Sequence, residues 1–404
     1  MAQVMPGALE GLRVLDLTRV LSGPMAAMML GDMGADVIKI EDPNGGDLYR
    51  KSGHLRLGGE SVNYLSTNRN KRSVTLNLQT DKGREILLQL AEASDVLIEN
   101  FRPESAKLLG IDWDVLRRRN ERLIYCSITG FGNGGPYRDR PAVDPIIQAV
   151  SGLMGMTGEQ GGAPVRLGSA VGDLYGAHLA VQGVLLALIA RSTSAKGQRV
   201  QLSLLDAAVF GLVPRDGEYF ATGTVLPRMG SGHPQFVPFQ AFETADEWVY
   251  VAVFHDGLWA KFCAVLGNSK LAAEARFATG AGRAQNREAL IPALAATFRT
   301  RPASHWLAEL DRAGVPCAPI NELDAVFDDP QVRHNQIVAT MQHSTAGEIR
   351  TLKNPIQMSA SPASIRRAPP LLGEHTAEVL AELGYSEQTL RELAGEGVIG
   401  GGDL

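Results

Sequence analysis

A single carboxylate, Asp173, stands where a carboxylate could attack an electrophile. It follows a turn of small residues (Gly168, Ser169, Ala170, Gly172) and opens a long apolar segment within Val165–Arg191, VRLGSAVGDLYGAHLAVQGVLLALIAR. Leu174, Tyr175, Leu179, Val181, Val184, Leu185, Leu186, Leu188 and Ile189 leave almost no polar face. A helix that is apolar nearly all round is a buried helix. The partial positive charge of a helix N-terminus favours an ionised group, and a glycine-rich turn lets a ligand approach the backbone. The same placement suits a helix N-cap, because an Asp side chain accepts a first-turn N–H. Gly176 occupies the place where a capping box would have Glu or Gln. Residue types alone leave cap and nucleophile both open.

Other chemistries have weaker support. The eight histidines are scattered without H-x-x-x-H or H-E-x-x-H spacing, so no metal site is expected. No G-x-S-x-G elbow marks a serine hydrolase. Cys126, Cys263 and Cys317 are far apart and read as small buried hydrophobes. His178, five residues after Asp173, points to another helix face and reads as a satisfied core residue. Gly130-Phe131-Gly132-Asn133-Gly134-Gly135 fits G-x-G-x-x-G after a strand, but Pro136 to Pro141 follow instead of a helix. The stretch reads as a loop near a ligand rather than a dinucleotide fingerprint. Arg138 and Arg140 in it could pair with phosphates.

The elements that must position these residues alternate strand and helix. Leu12–Leu17 reads as a strand, Met25–Gly34 as a helix and Ala35–Glu41 as a second strand, the β-α-β unit of a parallel sheet. Glu41 ends its strand as a ribose-binding acid would. Strands at Asp95–Glu99 and Leu123–Ile128, and the helix Asp81–Ala93, continue the pattern, giving an α/β fold with ligands beyond the strands' carboxyl ends. The 404-residue length predicts two domains. We divide them as residues 1–224, a small domain at 225–325, and 326–404 returning to the first. A net charge of -5 argues against a nucleic-acid binder. The start of the chain lacks a signal peptide's basic and apolar regions, and the apolar run Leu179–Ala190, interrupted by Gln182, is too short to span a bilayer. A cytoplasmic protein without membrane association is expected.

Eight motifs, in order across residues 9–390, resemble the class III CoA-transferases, the group of formyl-CoA and carnitine CoA-transferases. They are LEGLRVLDLTRVLSGPMAAMMLGDMGADVIKIE, NRNKRSVTLNL, DVLIENFRP, SITGFGNGGPY, VDPIIQAVSGLM, GSGHPQFVPFQAFETAD, GVPCAPIN with DDPQV, and PPLLGEHTAEVLAELG. The resemblance implies that Asp173 is the nucleophile of a covalent cycle. Its carboxylate attacks an acyl-CoA to give an acyl-aspartyl anhydride, the CoA thiolate returns to give an aspartyl-CoA thioester, and an incoming acid repeats the cycle. It further implies a Rossmann-like large domain built from both chain ends, a smaller central α+β domain and an interlocked homodimer. Coenzyme A serves as co-substrate, with no prosthetic group. By the same match Val20, Arg72, Asn100 and Phe101 lie near CoA; Arg140, in the glycine loop above, could meet a phosphate, and Gly230, Ser231, Gly232 and His233 are the candidate mobile substrate loop. The family commonly carries Arg before the Leu-Gly that follows its NF motif. Leu108 stands there in this chain, so Lys107 or Arg102 would have to supply that charge.

Two other activities are weighed. The related 2-methylacyl-CoA racemases pair the same aspartate with an upstream histidine, but Pro141–Gly152 contains none, and Val143-Asp144-Pro145 occupies that neighbourhood. A non-catalytic CoA-binding protein is the third reading. The Gly-Ser-Gly-His-Pro loop resembles dicarboxylate-type members, which makes succinyl-CoA the expected donor and a dicarboxylic acid the expected acceptor. Arg19, Arg166 and His233 are candidate partners for the second carboxylate.

Overall fold

The structure, a computed structural model, describes residues 6–401. The chain forms two compact units: one takes in the chain up to Leu153, Arg166–Glu218 and everything from Gln336 onward, the other Met154–Val165 and Tyr219–Asn335.

The first unit is built on six strands: β1 (Arg13–Asp16), β2 (Asp36–Glu41), β3 (Lys71–Thr75), β4 (Val96–Glu99), β5 (Ile124–Thr129) and β6 (Arg199–Ser203). They lie in the order β3-β2-β1-β4-β5-β6, and every neighbouring pair is parallel. Sheets of this kind are covered on both faces, which is why β5 (IYCSIT) is buried at every position. One face packs Leu15, Ile38, Leu97 and Tyr125 against Ile86, Leu87 and Leu90 of α2 (Asp81–Glu92). Val379, Leu380, Val398 and Ile399, from the far end of the chain, complete that cluster. The other face packs Val14, Val37, Ile98 and Cys126 against α1 (Ser22–Asp32) and α4 (Val171–Ser194). The strand order reverses between β1 and β4, the switch point beyond which open parallel sheets bind ligands.

The helices differ from the sequence reading in two ways. α1 begins at Ser22, three residues earlier than expected, because Pro24 is tolerated in a first turn where its missing N–H costs nothing. α4 is not buried all round. Its buried residues are Gly172, Gly176, Ala177, Ala180, Val184, Ala187 and Arg191, a single stripe of mostly small side chains that lets it lie close on the sheet. Val181, Leu185 and Leu188 flank that stripe, partly buried against the core, while Leu186 and Ile189 turn outward, 58% and 67% exposed. At 24 residues the helix is also long and apolar enough to cross a membrane by length and composition, contrary to expectation. Here it packs on α1, β5 and β6.

The second unit holds a three-stranded antiparallel sheet, with β7 (Phe239–Glu243), β8 (Trp248–Ala252) and β9 (Cys317–Pro319) in the order β9-β8-β7. Its core gathers Phe242, Trp259, Phe262, Phe298 and Trp306. Residues 154–165, which the sequence reading assigned to the first domain, belong to this unit. Arg228 donates to the carbonyls of Gly155 and Gly162 at 3.2 and 2.7 Å, and Gly230 N–H donates to Gly158 O at 2.8 Å.

Candidate active site

Beyond the carboxyl ends of β1, β4 and β5 the first unit contains a cavity of about 510 Å³, within the range of small-molecule sites. Asp173 and Asp144 line it together with Val20, Ser22, Asn100, Phe101 and four arginines, Arg19, Arg102, Arg138 and Arg140. The cationic lining suits an anionic ligand. Arg138 is already paired with Glu104 and Asp139, and Arg140 lies 3.8 Å over the Tyr137 ring.

The loop after β1 is held from beneath by buried charges. Asp16, Lys39 and Lys71 are fully buried and Asp47 nearly so, two positive and two negative charges in all. Lys71 reaches Asp16 at 2.8 Å, and Lys39 reaches Asp47 at 3.0 Å while donating to Thr18 O at 2.8 Å. Burial pushes the Asp16 carboxyl up, but Lys39 and Lys71 outweigh it and hold the group at about 2. Burial brings Lys71 down to about 8 despite Asp16. Asp47 Oδ1 accepts Val20 N–H at 2.9 Å. The Asn100 side chain bonds both Arg19 N–H and Arg19 O at 2.9 Å. These bonds flank Val20, whose φ of 73° is an outlier for a β-branched residue. Such strain persists only where surrounding structure over-determines it.

Asp173 is not the cap of α4. The helix starts two residues before it, the N-cap position is Ala170, and no side chain of that residue caps the helix. The capping acceptor comes from elsewhere in the chain. Asp144, on the first turn of α3 (Asp144–Val150), is 5% exposed, and its Oδ1 accepts Gly172 N–H at 2.8 Å and Asp173 N–H at 3.4 Å. Gly172 permits this approach, since a Cβ there would lie 3.1 Å from Asp144 Oδ1. Gln148 Nε2 donates to Asp144 Oδ2 at 2.6 Å, while its Oε1 accepts Leu167 N–H at 2.9 Å.

The Asp173 carboxylate is half-buried and has no hydrogen-bond donor among the described residues. Burial lifts its pKa to about 7, and the negative charge of Asp144 adds to the rise. The sequence reading, in which the helix N-terminus keeps Asp173 ionised, is therefore corrected: Asp144 already occupies that electropositive end. Near neutrality Asp173 is shared between its protonated and ionised forms. The carboxylate that forms is basic and poorly solvated, which favours attack on an acyl carbon. Tyr49 belongs to the same surroundings. Its phenol pKa is raised by burial first, then by Asp173, Asp47 and Asp144.

Of the residues expected at a CoA site, Val20, Asn100, Phe101 and Arg140 share the cavity with Asp173. Arg72 is not among them. Its guanidinium is consumed by Asp36 at 2.5 Å, Glu378 at 3.0 Å and Glu382 at 2.5 Å. Lys107 and Leu108 are exposed, Leu108 by 85%, and do not line the cavity, whereas Arg102 does. Arg166 is exposed and, among the described residues, bonds only its neighbour's carbonyl, Leu167 O, at 3.4 Å. Glu41 cannot serve a ribose, since Arg50 grips both its oxygens at 2.8 Å and Asp47 N–H and Ser73 Oγ complete its bonds. His178 is exposed rather than a core residue, with Nδ1 2.7 Å from Leu174 O. Gly230, Ser231, Gly232 and His233 belong to the second unit and are tied down. Ser231 Oγ accepts Ala241 N–H at 3.0 Å, Ser231 O accepts the Tyr250 hydroxyl at 2.9 Å, and the His233 ring stacks on Phe239. Among the described residues no group of three His, Cys, Asp or Glu is placed to hold a metal. Tyr49 and Ser22 escaped the sequence reading, and Asp144 entered it only as part of the segment that lacks a histidine, with no role assigned.

Comparison with known proteins matches this architecture. The description "CoA-transferase family III" fits residues 9–376. A succinyl-CoA:glutarate CoA-transferase of Homo sapiens is 39% identical over 97% of this chain and 90% of its own length. A succinyl-CoA:mesaconate CoA-transferase of Haloarcula marismortui is 39% identical over 95% of this chain and 98% of its own. The crystal structure of a CAIB/BAIF family protein from Brucella suis superposes with a TM-score of 0.84 at 36% identity, covering 94% of this chain and all of the other. With a basic carboxylate at the switch point of a parallel sheet and full-length similarity of this kind, the chain belongs to CoA-transferase family III.

Proposed function

We propose that the protein moves CoA from succinyl-CoA to a second dicarboxylic acid, with Asp173 as covalent nucleophile. The carrying observation is the Asp173 carboxylate itself: basic, without a hydrogen-bond donor among the described residues, and on the wall of a cavity rich in arginine. Asp173 Oδ bonds to the thioester carbon, and the C–S bond breaks with its electron pair leaving on sulfur. The thiolate then attacks the aspartyl carbonyl of the anhydride and releases succinate. The incoming acid reverses both steps, so no net proton is needed. The relatives' names pair succinyl-CoA with glutarate or mesaconate, which supports a diacid at both ends of the exchange. Arg19 and Arg102 are the lining cations best placed to receive a second carboxylate or a CoA phosphate. The racemase reading gains no support, because Asp144 stands where a base would be needed and its oxygens are engaged.

Incubation with succinyl-CoA, quenching with hydroxylamine and peptide mass spectrometry should place a hydroxamate on Asp173. Transfer activity without any adduct there would sink the covalent mechanism. A screen of free acids against succinyl-CoA should give the highest kcat/KM with a four- or five-carbon diacid, and a monocarboxylate at the head of the ranking would overturn the substrate class.

Val20, Asn100, Phe101 and Arg140 we assign to the CoA-facing wall. Asn100 acts there through the backbone of Arg19. Asn100→Ala should raise KM for the acyl-CoA about tenfold, the equivalent of about 1.4 kcal/mol, and leave the thermal unfolding midpoint within about 2 °C. An unchanged KM would show that the loop holds its shape without it. We further propose a homodimer in the cytoplasm. The outward apolar residues Leu186, Ile189 and Phe210 support a covered surface on this unit.

A further inference from the structure

The mechanism above leaves a buried, unpartnered hydroxyl of the cavity unused. Ser22, the first residue of α1, is 3% exposed and lines the cavity with Asp173. Its Oγ is buried and has no hydrogen-bond partner among the described residues. A buried hydroxyl without a partner is costly, and alanine would fill nearly the same volume at no such cost. The end of α1 around it is also uncapped: Leu21 makes no side-chain cap and Pro24 has no N–H.

The position of this hydroxyl relative to the nucleophile follows from α4. Ser22 Oγ lies 2.8 Å from where a Cβ on Gly176 would stand. Gly176 is three residues from Asp173 and so on the same face of the helix, with Cβ positions about 5–6 Å apart. Ser22 Oγ is therefore within about 9 Å of Asp173 Cβ. That span is filled by the Asp173 carboxyl, an acyl carbon bonded to it, the oxygen on that carbon and one hydrogen bond. The lack of a side chain at Gly176 lets Ser22 Oγ and Leu204 pack directly against α4, since a Cβ there would clash with both.

We propose that Ser22 Oγ–H is an oxyanion donor of this active site, hydrogen-bonding the acyl oxygen in the tetrahedral intermediates in which Asp173 Oδ and the CoA sulfur are both bonded to the acyl carbon. This rests on the covalent reading above. As Asp173 Oδ bonds to the acyl carbon, the carbonyl π pair moves onto oxygen, and that oxygen accepts the hydroxyl hydrogen bond. When the C–S bond breaks, the pair returns to re-form the carbonyl. The hydroxyl keeps its proton throughout, so the step needs no acid or base.

The test is Ser22→Ala in the full chain, read by single-turnover release of CoA thiol from succinyl-CoA. Loss of one oxyanion donor should lower the rate about 100-fold, with KM for succinyl-CoA within about twofold and an unfolding temperature equal to or above that of the parent. If Ser22→Ala does not fold, Ser22→Cys, nearly isosteric with a weak S–H donor, carries the same rate test. A rate within about threefold of the parent, while hydroxylamine still traps Asp173 in both proteins, overturns the role of Ser22 alone. Failure to trap Asp173 in the parent overturns the covalent reading and this inference with it.

Discussion

Asp173→Asn should abolish CoA transfer while making the first unit more stable at pH 8. The loss of activity should be about 10³-fold or more, because the amide has no anionic oxygen to attack a thioester and no other group replaces a covalent nucleophile. The gain in stability follows from linkage. In the unfolded chain the Asp173 carboxyl titrates near 3.8, and in the folded protein near 7. The folded state thus binds this proton more tightly. Below 3.8 the group is protonated in both states and imposes no penalty. As pH rises towards 7, ionisation is opposed in the folded state and stability falls; above 7 the full cost of the buried anion, facing Asp144, is present. Asparagine keeps the shape and removes that cost. The difference in unfolding temperature between variant and parent should therefore be larger at pH 8 than at pH 5. Residual transfer above about one part in a hundred, or a stability difference that does not change with pH, would refute this account of the site.

That the cost is tolerated supports the role proposed for the residue, and the fold shows why composition could not reveal it. The parallel sheet was legible because its strands, such as VLDL and DVIKIE, are short apolar runs separated by helices. Lys39 in the middle of DVIKIE was a readable anomaly, since a lysine inside a buried strand requires a buried anion, and Asp16 and Asp47 supply two. The role proposed for Asp173 was legible only through family motifs. Its electrostatics were not, because the group that sets them, Asp144, lies 29 residues away and meets it only in the fold. Arg72 failed for a similar reason, as two of its three carboxylate partners lie more than 300 residues along the chain. The one-sided burial of α4 had a signal that a count of apolar residues obscures. Gly172, Gly176, Ala180, Val184 and Ala187 recur every three or four positions and mark the close-packed face.

Asp144→Asn should shift the pH dependence of the reaction without removing the reaction. Asparagine retains an acceptor for the Gly172 N–H but loses the charge facing Asp173. Burial, the larger cause, still holds the Asp173 pKa above 3.8, so the value should fall from about 7 without reaching the ordinary range. The acid limb of kcat/KM, expected near pH 7 in the parent from the Asp173 pKa, should move to lower pH, since the free enzyme's essential base sets that limb. The plateau above pH 8 should drop by about threefold to tenfold, because a less basic carboxylate is a weaker nucleophile. A modest loss of stability, about 1 kcal/mol, should accompany the change. The new amide N–H₂ would face Gln148 Nε2, and Gln148 cannot turn its amide without releasing the Leu167 N–H. Asp144→Ala separates the two roles of the residue. It removes the same charge and also leaves the first turn of α4 without its acceptor, a loss of about 1–2 kcal/mol. The two variants should therefore share one acid limb and differ in unfolding temperature. If the acid limb stays at pH 7 in both while only the alanine variant is destabilised, Asp144 serves as a helix cap alone and the basicity of Asp173 comes from burial.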